Sequence, residues 1–95
     1  MTPTKPLVLV EDDFDDQEMI KFALKELGFS SEIKVFRDAE AALKFLQESG
    51  INPFLIISDI NMPKMDGLRF KGAIEACSIL KQKSIPFVFL STAST

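Results

Sequence analysis

Acidic side chains follow two separate apolar runs in this sequence. The acidic stretch 11–13 comes directly after the apolar run 7–10, and Asp59 ends a segment that begins with the apolar run 54–57. If both runs are neighbouring parallel strands, their carboxyl ends meet at one edge of the sheet, where such sheets bind ligands. We therefore expect one site to hold three or four acidic oxygens.

The repulsion within such a site indicates that it binds a cation. At an effective dielectric of about 20, two carboxylates roughly 4 Å apart repel by about 4 kcal/mol, on the order of three pKa units. Because the chain contains no histidine, the ligands would be hard oxygen atoms, which favour Mg2+. Glu11, Asp12 and Asp59 are the candidate ligands, whereas Asp13 is more simply explained as a turn or helix-capping residue.

Composition limits the kind of protein. The chain has 95 residues, 46% of them hydrophobic, which suits one small domain. A net charge of −3, with eleven scattered Lys and Arg residues, argues against binding nucleic acid. The single cysteine, Cys77, excludes an intrachain disulfide and fits a reducing compartment. The apolar runs are too short for a membrane span or a signal peptide, so we expect no membrane association and a cytoplasmic protein.

The hydrophobic pattern alternates between strand and helix. Continuous or alternating apolar residues predict strands at 7–10, around 33–35, at 54–57 and at 87–90. Helices are predicted from a cap at Asp15 to Gly28 and from a cap at Asp38 to Gly50. A third helix is predicted from Asp66-Gly67, which is typical of a turn and a helix cap, to about Lys83. Three strand–helix units followed by a strand predict an α/β fold, a doubly wound parallel sheet with right-handed crossovers.

Three motifs, in this order, resemble the receiver domain of two-component response regulators. The segment 7–13 matches the acidic first loop, 58–67 closely matches the phosphoacceptor loop, and 86–91 matches the fourth strand with its terminal hydroxyl. The segment 15–18 is similar to small stand-alone regulators of the phytochrome-partner type. The resemblance covers essentially residues 1–95 as one receiver domain, and it implies a flavodoxin-like sheet with strand order 2-1-3-4.

The resemblance also assigns roles to the acidic residues. Asp59 would be the nucleophile that takes a phosphoryl group from a sensor histidine kinase or a phosphotransfer protein. Asp12 and Asp59 would bind Mg2+ directly, together with the backbone carbonyl of Asn61, and Glu11 would act mostly through a bound water. Beyond its own phosphotransfer and dephosphorylation, such a domain is not an enzyme.

Two residues near the end of the sequence have roles in the resemblance as well. Ser91 stands where the family has its switch hydroxyl, and the backbone N–H groups of Thr92 and Asn61 would complete the phosphoryl cradle. Phosphorylation would reorient Ser91 toward the phosphate.

The sequence stops earlier than the family pattern does. Complete receivers continue with a fourth helix, a fifth strand that opens with a phosphoryl-binding lysine, and a fifth helix. We therefore expect either a fragment truncated after the fourth strand, which we favour, or a natural or engineered short form. In both cases we expect deficient phosphorylation-coupled switching of the 95-residue form. Its hydrophobic fourth strand, 87–90, would be an exposed edge, through which two copies of the 95-residue form would associate as a homodimer.

Two other functions fit part of the pattern. A receiver-like fold without phosphorylation would serve as an interaction scaffold, and the missing lysine is the reason to consider it. A Toprim-type nucleotidyl-transfer domain also places a glutamate and a later acidic pair around Mg2+. Here the later motif is 59–61, which lacks the second acid, and no glycine follows Glu11. Acid lability of the bound phosphate and metal affinity separate the scaffold from a working receiver.

Overall fold

A computed structural model describes residues 5–90 of the chain. Strands and helices alternate along these residues, in the order β1 (Leu7–Val10), α1 (Phe14–Glu26), β2 (Ile33–Phe36), α2 (Ala39–Glu48), β3 (Leu55–Asp59), α3 (Gly67–Ala76), α4 (Ser78–Gln82) and β4 (Phe87–Leu90). The strands are parallel, in the order β2-β1-β3-β4. The predicted doubly wound sheet with strand order 2-1-3-4 is therefore confirmed.

The sheet separates two hydrophobic clusters, because successive side chains of a strand point to opposite faces. Every residue of β1 is fully buried. Val8 and Val10 pack into the larger cluster, with residues of α2, α3 and α4, and Leu7 and Leu9 pack into the smaller one, with Ile20 of α1. A strand covered on both faces is expected to be continuously apolar, which explains the uninterrupted apolar run 7–10.

Aspartate side chains define the starts of three helices. Asp13, Asp38 and Asp66 each accept a hydrogen bond from the backbone N–H three residues later, at 3.0, 2.7 and 2.8 Å. The predicted caps at Asp38 and Asp66 are confirmed. The predicted cap at Asp15 is wrong, because Asp13 has the extended backbone that an N-cap requires and Asp15 lies in the first turn of α1.

The helix predicted from 66 to about 83 is two helices, α3 and α4, separated by Cys77. The backbone of Cys77 is extended, with φ −90° and ψ 111°, so the helical hydrogen-bond pattern cannot continue through it. The break turns α4 so that Leu80 is fully buried in the larger cluster. Within residues 5–90, none of the helices combines the length and apolar character needed to cross a membrane.

Candidate functional site

The pairing of β1 with β3 brings three carboxylates together at the carboxyl edge of the sheet. Val10 lies opposite Ser58 in the parallel register, so the residues that follow them, Glu11 and Asp59, lie side by side. One carboxylate oxygen from each of Glu11, Asp12 and Asp59 lies within 4.8 Å of the others. Sequence reasoning placed Asp59 after an apolar strand, and the structure includes it as the last residue of β3.

Glu11 lies at the bottom of this acidic cluster, with 1% of its surface exposed. Its Oε2 accepts a hydrogen bond from the backbone N–H of Asp13 at 3.1 Å. Its Oε1 is buried and has no hydrogen-bond partner among the described residues. A buried carboxylate oxygen without a partner is costly, and a hard cation, directly or through a water bound to it, would satisfy it. The geometry therefore fits the divalent ion that the donor set favours.

Gln17 holds the acidic loop against α1 and was not identified from the sequence. Its Nε2 donates to the backbone carbonyl of Glu11 at 2.6 Å, and the side chain is buried. The first turns of α1 thereby fix the backbone from which Glu11 and Asp12 project. The sequence gives little indication of this contact. Gln17 is one uncharged residue in an acidic helix start, and its partner is a backbone atom, which no residue type specifies.

Burial raises the pKa of Glu11 from the ordinary value of 4.5 to about 7, and the carboxylates of Asp59 and Asp12 act in the same direction. The N–H of Asp13 opposes the shift by donating to the carboxylate. Without a cation, Glu11 is therefore partly protonated near neutral pH. A divalent cation at the site would favour the ionised form, so metal binding and proton release are linked.

This shift gives a pH dependence of stability with a defined sign. The folded chain binds a proton on Glu11 more tightly than the unfolded chain, so its free energy of unfolding should fall as pH rises from about 4.5 to about 7. The upper limit of the effect is roughly 3 kcal/mol. Urea unfolding in EDTA at a series of pH values measures it, and Glu11→Gln should reduce the slope.

Comparing the unsubstituted protein with Glu11→Gln isolates the contribution of the Glu11 carboxyl group to the pH dependence of stability. The pKa of Asp16 is also raised, by desolvation and by the neighbouring Asp13, but Asp16 is present in both proteins. Saturating Mg2+ should weaken the pH dependence of the unsubstituted protein. Equal slopes for the two proteins in EDTA would contradict the assignment of the pH dependence to Glu11.

The loop after β3 places a backbone donor at the Asp59 carboxylate. Asp59 is 4% exposed, and its Oδ1 accepts a hydrogen bond from the N–H of Asn61 at 3.3 Å. The hydroxyl of Ser58 donates to the backbone carbonyl of Asp59 at 2.9 Å. Of the residues assigned to the cradle, Asn61 therefore lies beside Asp59, whereas Ser91 and Thr92 lie outside the described residues.

Gly67 allows α3 to pack directly on the backbone of Asp59. Its N–H donates to the carbonyl of Ile60 at 2.9 Å, and a Cβ at this position would lie 2.5 Å from the carbonyl oxygen of Asp59. Sequence reasoning explained the Asp66-Gly67 pair by turn and capping preferences alone. The structure adds a steric reason that depends on a tertiary contact.

Gly67→Ala should therefore destabilise the fold, by on the order of 1 to 3 kcal/mol, because backbone atoms must shift to admit the methyl group. Gly72→Ala is the matched control, since a Cβ at position 72 of α3 meets nothing within 4 Å. That control should be stabilised by up to about 1 kcal/mol through helix propensity. Urea midpoints measure both, and equal stability of the two variants would contradict the close approach.

Comparison with known proteins identifies the family. A family model described as response regulator receiver domain matches residues 7–95. The chain is 36% identical over 96 residues to the response regulator Rcp1 of Synechocystis sp., an alignment that covers 96% of this chain and 64% of Rcp1. The chain thus spans less than two thirds of the length of this relative.

Solved structures agree with the sequence match. The chain resembles the bacteriophytochrome response regulator AtBRR with a TM-score of 0.83 and 30% identity, over 98% of this chain and 70% of that one. It resembles the phosphorylated cyanobacterial phytochrome response regulator RcpA with a TM-score of 0.80 and 33% identity, over 98% of this chain and 69% of that one. The predicted resemblance is confirmed: the chain belongs to the response regulator receiver domain family.

Proposed function

We propose that this chain is the phosphoacceptor domain of a two-component signalling system, in which Asp59 takes a phosphoryl group in the presence of Mg2+. The observation that carries the proposal is the position of Asp59, which ends β3 within 4.8 Å of acidic oxygens of Glu11 and Asp12. Membership of the receiver family supports it. The geometry also gives Asp59 a backbone donor, the N–H of Asn61.

The residues that would hold the metal are those predicted from the sequence. Asp12 and Asp59 would bind Mg2+ directly with the backbone carbonyl of Asn61, and Glu11 would contribute mostly through a bound water. The all-oxygen donor set and the buried, unpartnered Oε1 of Glu11 fit this ion. When bound, Mg2+ would neutralise the charge that develops on a transferring phosphoryl group.

The proposed reaction is transfer of a phosphoryl group to a carboxylate. An oxygen of ionised Asp59 attacks the phosphorus of a phosphohistidine, the phosphorus–oxygen bond forms, and the phosphorus–nitrogen bond breaks with its electron pair left on the imidazole. The N–H of Asn61 would donate to a phosphoryl oxygen. Ser91, through its hydroxyl, and Thr92, through its N–H, would complete the cradle, and reorientation of Ser91 would be the switch.

The donor would be a sensor histidine kinase or a phosphotransfer protein. AtBRR and RcpA are phytochrome response regulators by name, so we infer that the kinase is of the phytochrome type. The acidic chain, with a net charge of −3, would act in the cytoplasm by contact with other proteins rather than with nucleic acid.

Incubation of the purified protein with acetyl phosphate tests the proposal. With Mg2+, the chain should gain an acyl phosphate that hydroxylamine removes, and EDTA should prevent its formation. A folded protein that binds Mg2+ but gains no phosphate would contradict the proposal and favour the receiver-like interaction scaffold.

We also propose that the polypeptide of these 95 residues associates through β4. Within residues 5–90, β4 pairs with β3 on one side only, and Val88 is 44% exposed. Burying roughly 100 Å2 of apolar surface on one side chain of β4 would contribute about 2.5 kcal/mol to the free energy of association, as an upper estimate. An unpaired hydrophobic edge is a template for pairing with a second chain.

Sedimentation at micromolar concentration measures this association. We expect a dimer, and Val88→Lys should shift the equilibrium toward monomer because a charged side chain would be placed at the edge. Leu68→Lys is the matched control, since Leu68 is an exposed side chain on α3. A polypeptide that stays monomeric, or equal effects of the two variants, would contradict association through β4.

A further inference from the structure

A pocket of about 330 Å3 opens beside the acidic cluster. It lies between the loop after β2 and the loop after β3, and it is lined by Asp12, Arg37, Asp38, Pro63 and Lys64. Its volume is at the lower end of the range for small-molecule sites. Because Asp12 belongs both to the pocket and to the acidic cluster, a molecule in the pocket would lie next to the proposed metal site.

The pocket carries two cationic side chains, Arg37 and Lys64, and two carboxylates, Asp12 and Asp38. Within residues 5–90, the ion pairs closer than 4.0 Å are formed by Lys21, Lys34 and Lys71, and neither Arg37 nor Lys64 takes part in one. The remaining acidic side chain of the wall, Asp38, accepts the capping hydrogen bond at the start of α2. Among the described residues, neither Arg37 nor Lys64 donates a side-chain hydrogen bond, so the donor groups of both can bind an anion.

The backbone holds Lys64 at the pocket wall at some cost. Lys64 has a φ of +69°, and the N–H of Met65 donates to the carbonyl of Pro63 at 2.9 Å. Together these make a tight turn with Lys64 at its centre, a conformation that is rare and strained for residues with a side chain. Glycine would be the least strained residue at this position. A lysine there points to a use for its charge.

Resting on the proposed function, we propose that this pocket takes the acyl end of a small acyl phosphate that phosphorylates Asp59 directly. An oxygen of Asp59 bonds to phosphorus, the bond between phosphorus and the acyl oxygen breaks, and the acyl group leaves as a carboxylate with the electron pair. The guanidinium of Arg37 matches a carboxylate in geometry, and Lys64 adds a second positive charge. The pair offsets the repulsion between the acidic cluster and an anionic donor.

Two donors with different leaving groups test this proposal. Acetyl phosphate releases acetate, an anion, whereas phosphoramidate releases ammonia, which is neutral. The double variant Arg37→Gln, Lys64→Gln should lower the second-order rate of phosphorylation by acetyl phosphate by roughly three- to tenfold at low ionic strength, with less loss at high salt. The rate with phosphoramidate should change less than about twofold. Glutamine retains a side chain at both positions, so the turn keeps its backbone constraint.

The control variant is Lys25→Gln, Lys81→Gln. It loses the same charge at exposed positions that do not line the pocket, and both donor rates should stay near those of the unsubstituted protein. Equal loss with both donors in the pocket variant would overturn the proposal. An equal loss of rate with acetyl phosphate in the pocket variant and in the control variant would also overturn the proposal.

A binding measurement separates failure of the pocket from failure of the proposed function. Sodium acetate, titrated into the Mg2+-loaded protein against sodium chloride, should shift the backbone amide resonances of Arg37, Asp38 and Met65 saturably. The pocket variant should lose this response. If neither donor phosphorylates the unsubstituted protein, the proposed function fails whatever acetate does. If phosphorylation occurs but acetate gives no saturable response, the pocket assignment is wrong.

Discussion

Asp59→Asn should abolish phosphoryl transfer to the chain. The amide has nearly the shape of the carboxylate but lacks the anionic oxygen that would attack phosphorus. Asp59 is 4% exposed at the end of β3, so an isosteric replacement is also the one least disruptive to packing. Labelling with radioactive acetyl phosphate, followed by separation of the protein, measures the result.

Asp66→Asn is the matched control for this experiment. Asp66 lies in the same loop region and caps α3 through its side chain, a role that asparagine fills well. Its labelling should stay close to that of the unsubstituted protein. Label retained in Asp59→Asn would place the nucleophile at another residue.

Asp12→Asn should weaken Mg2+ binding by at least about tenfold. Loss of an outer-sphere partner alone typically costs 10- to 100-fold in metal affinity, and Asp12 is proposed to be a direct ligand. The chain has no tryptophan or tyrosine, so calorimetric titration suits it better than intrinsic fluorescence.

Asp13→Asn controls for the loss of one negative charge at the adjacent position. The side chain of Asp13 caps α1 by accepting the N–H of Asp16 at 3.0 Å, so its replacement should change Mg2+ affinity only slightly. An equal loss in the two variants would show that overall charge, rather than coordination by Asp12, determines binding. Unchanged affinity in Asp12→Asn would refute the site.

The sequence was sufficient to predict the parallel sheet and the position of the acidic residues close together at its carboxyl edge. The run 7–10 is continuously apolar because β1 is buried on both faces, and burial on both faces is a property of central parallel strands. The carboxylates could be located because they follow such strands, and parallel strands end at a common edge. Glu11 and Asp59 therefore meet for a reason that is visible in the hydrophobic pattern.

Several local details depended on the tertiary structure and could not be predicted. Asp13 and Asp15 are equally good capping residues by type, and only the backbone conformation selects Asp13. No glycine or proline marks the helix break at Cys77. The need for glycine at position 67 arises from the carbonyl of Asp59, which the chain brings close only after α3 has packed.

The pocket beside the acidic cluster illustrates the same limit. Arg37 and Lys64 are far apart in sequence and belong to loops after different strands. The expected strand order places the loops after β2 and β3 on either side of β1, but the conformations that bring these two side chains to one pocket depend on how each loop packs. The positive φ of Lys64 could not be predicted from the sequence either, since lysine is not a residue type that favours this conformation.

Chemical trapping of the phosphorylated residue is the most direct measurement of the central claim. Borohydride reduces an aspartyl phosphate to a stable alcohol, which peptide mass spectrometry can assign to a single position after treatment with acetyl phosphate. We expect the reduced residue at position 59, formed with Mg2+ and not in EDTA. Reduction at another acidic residue, or none in a folded protein that binds Mg2+, would contradict the assignment of Asp59 as phosphoacceptor.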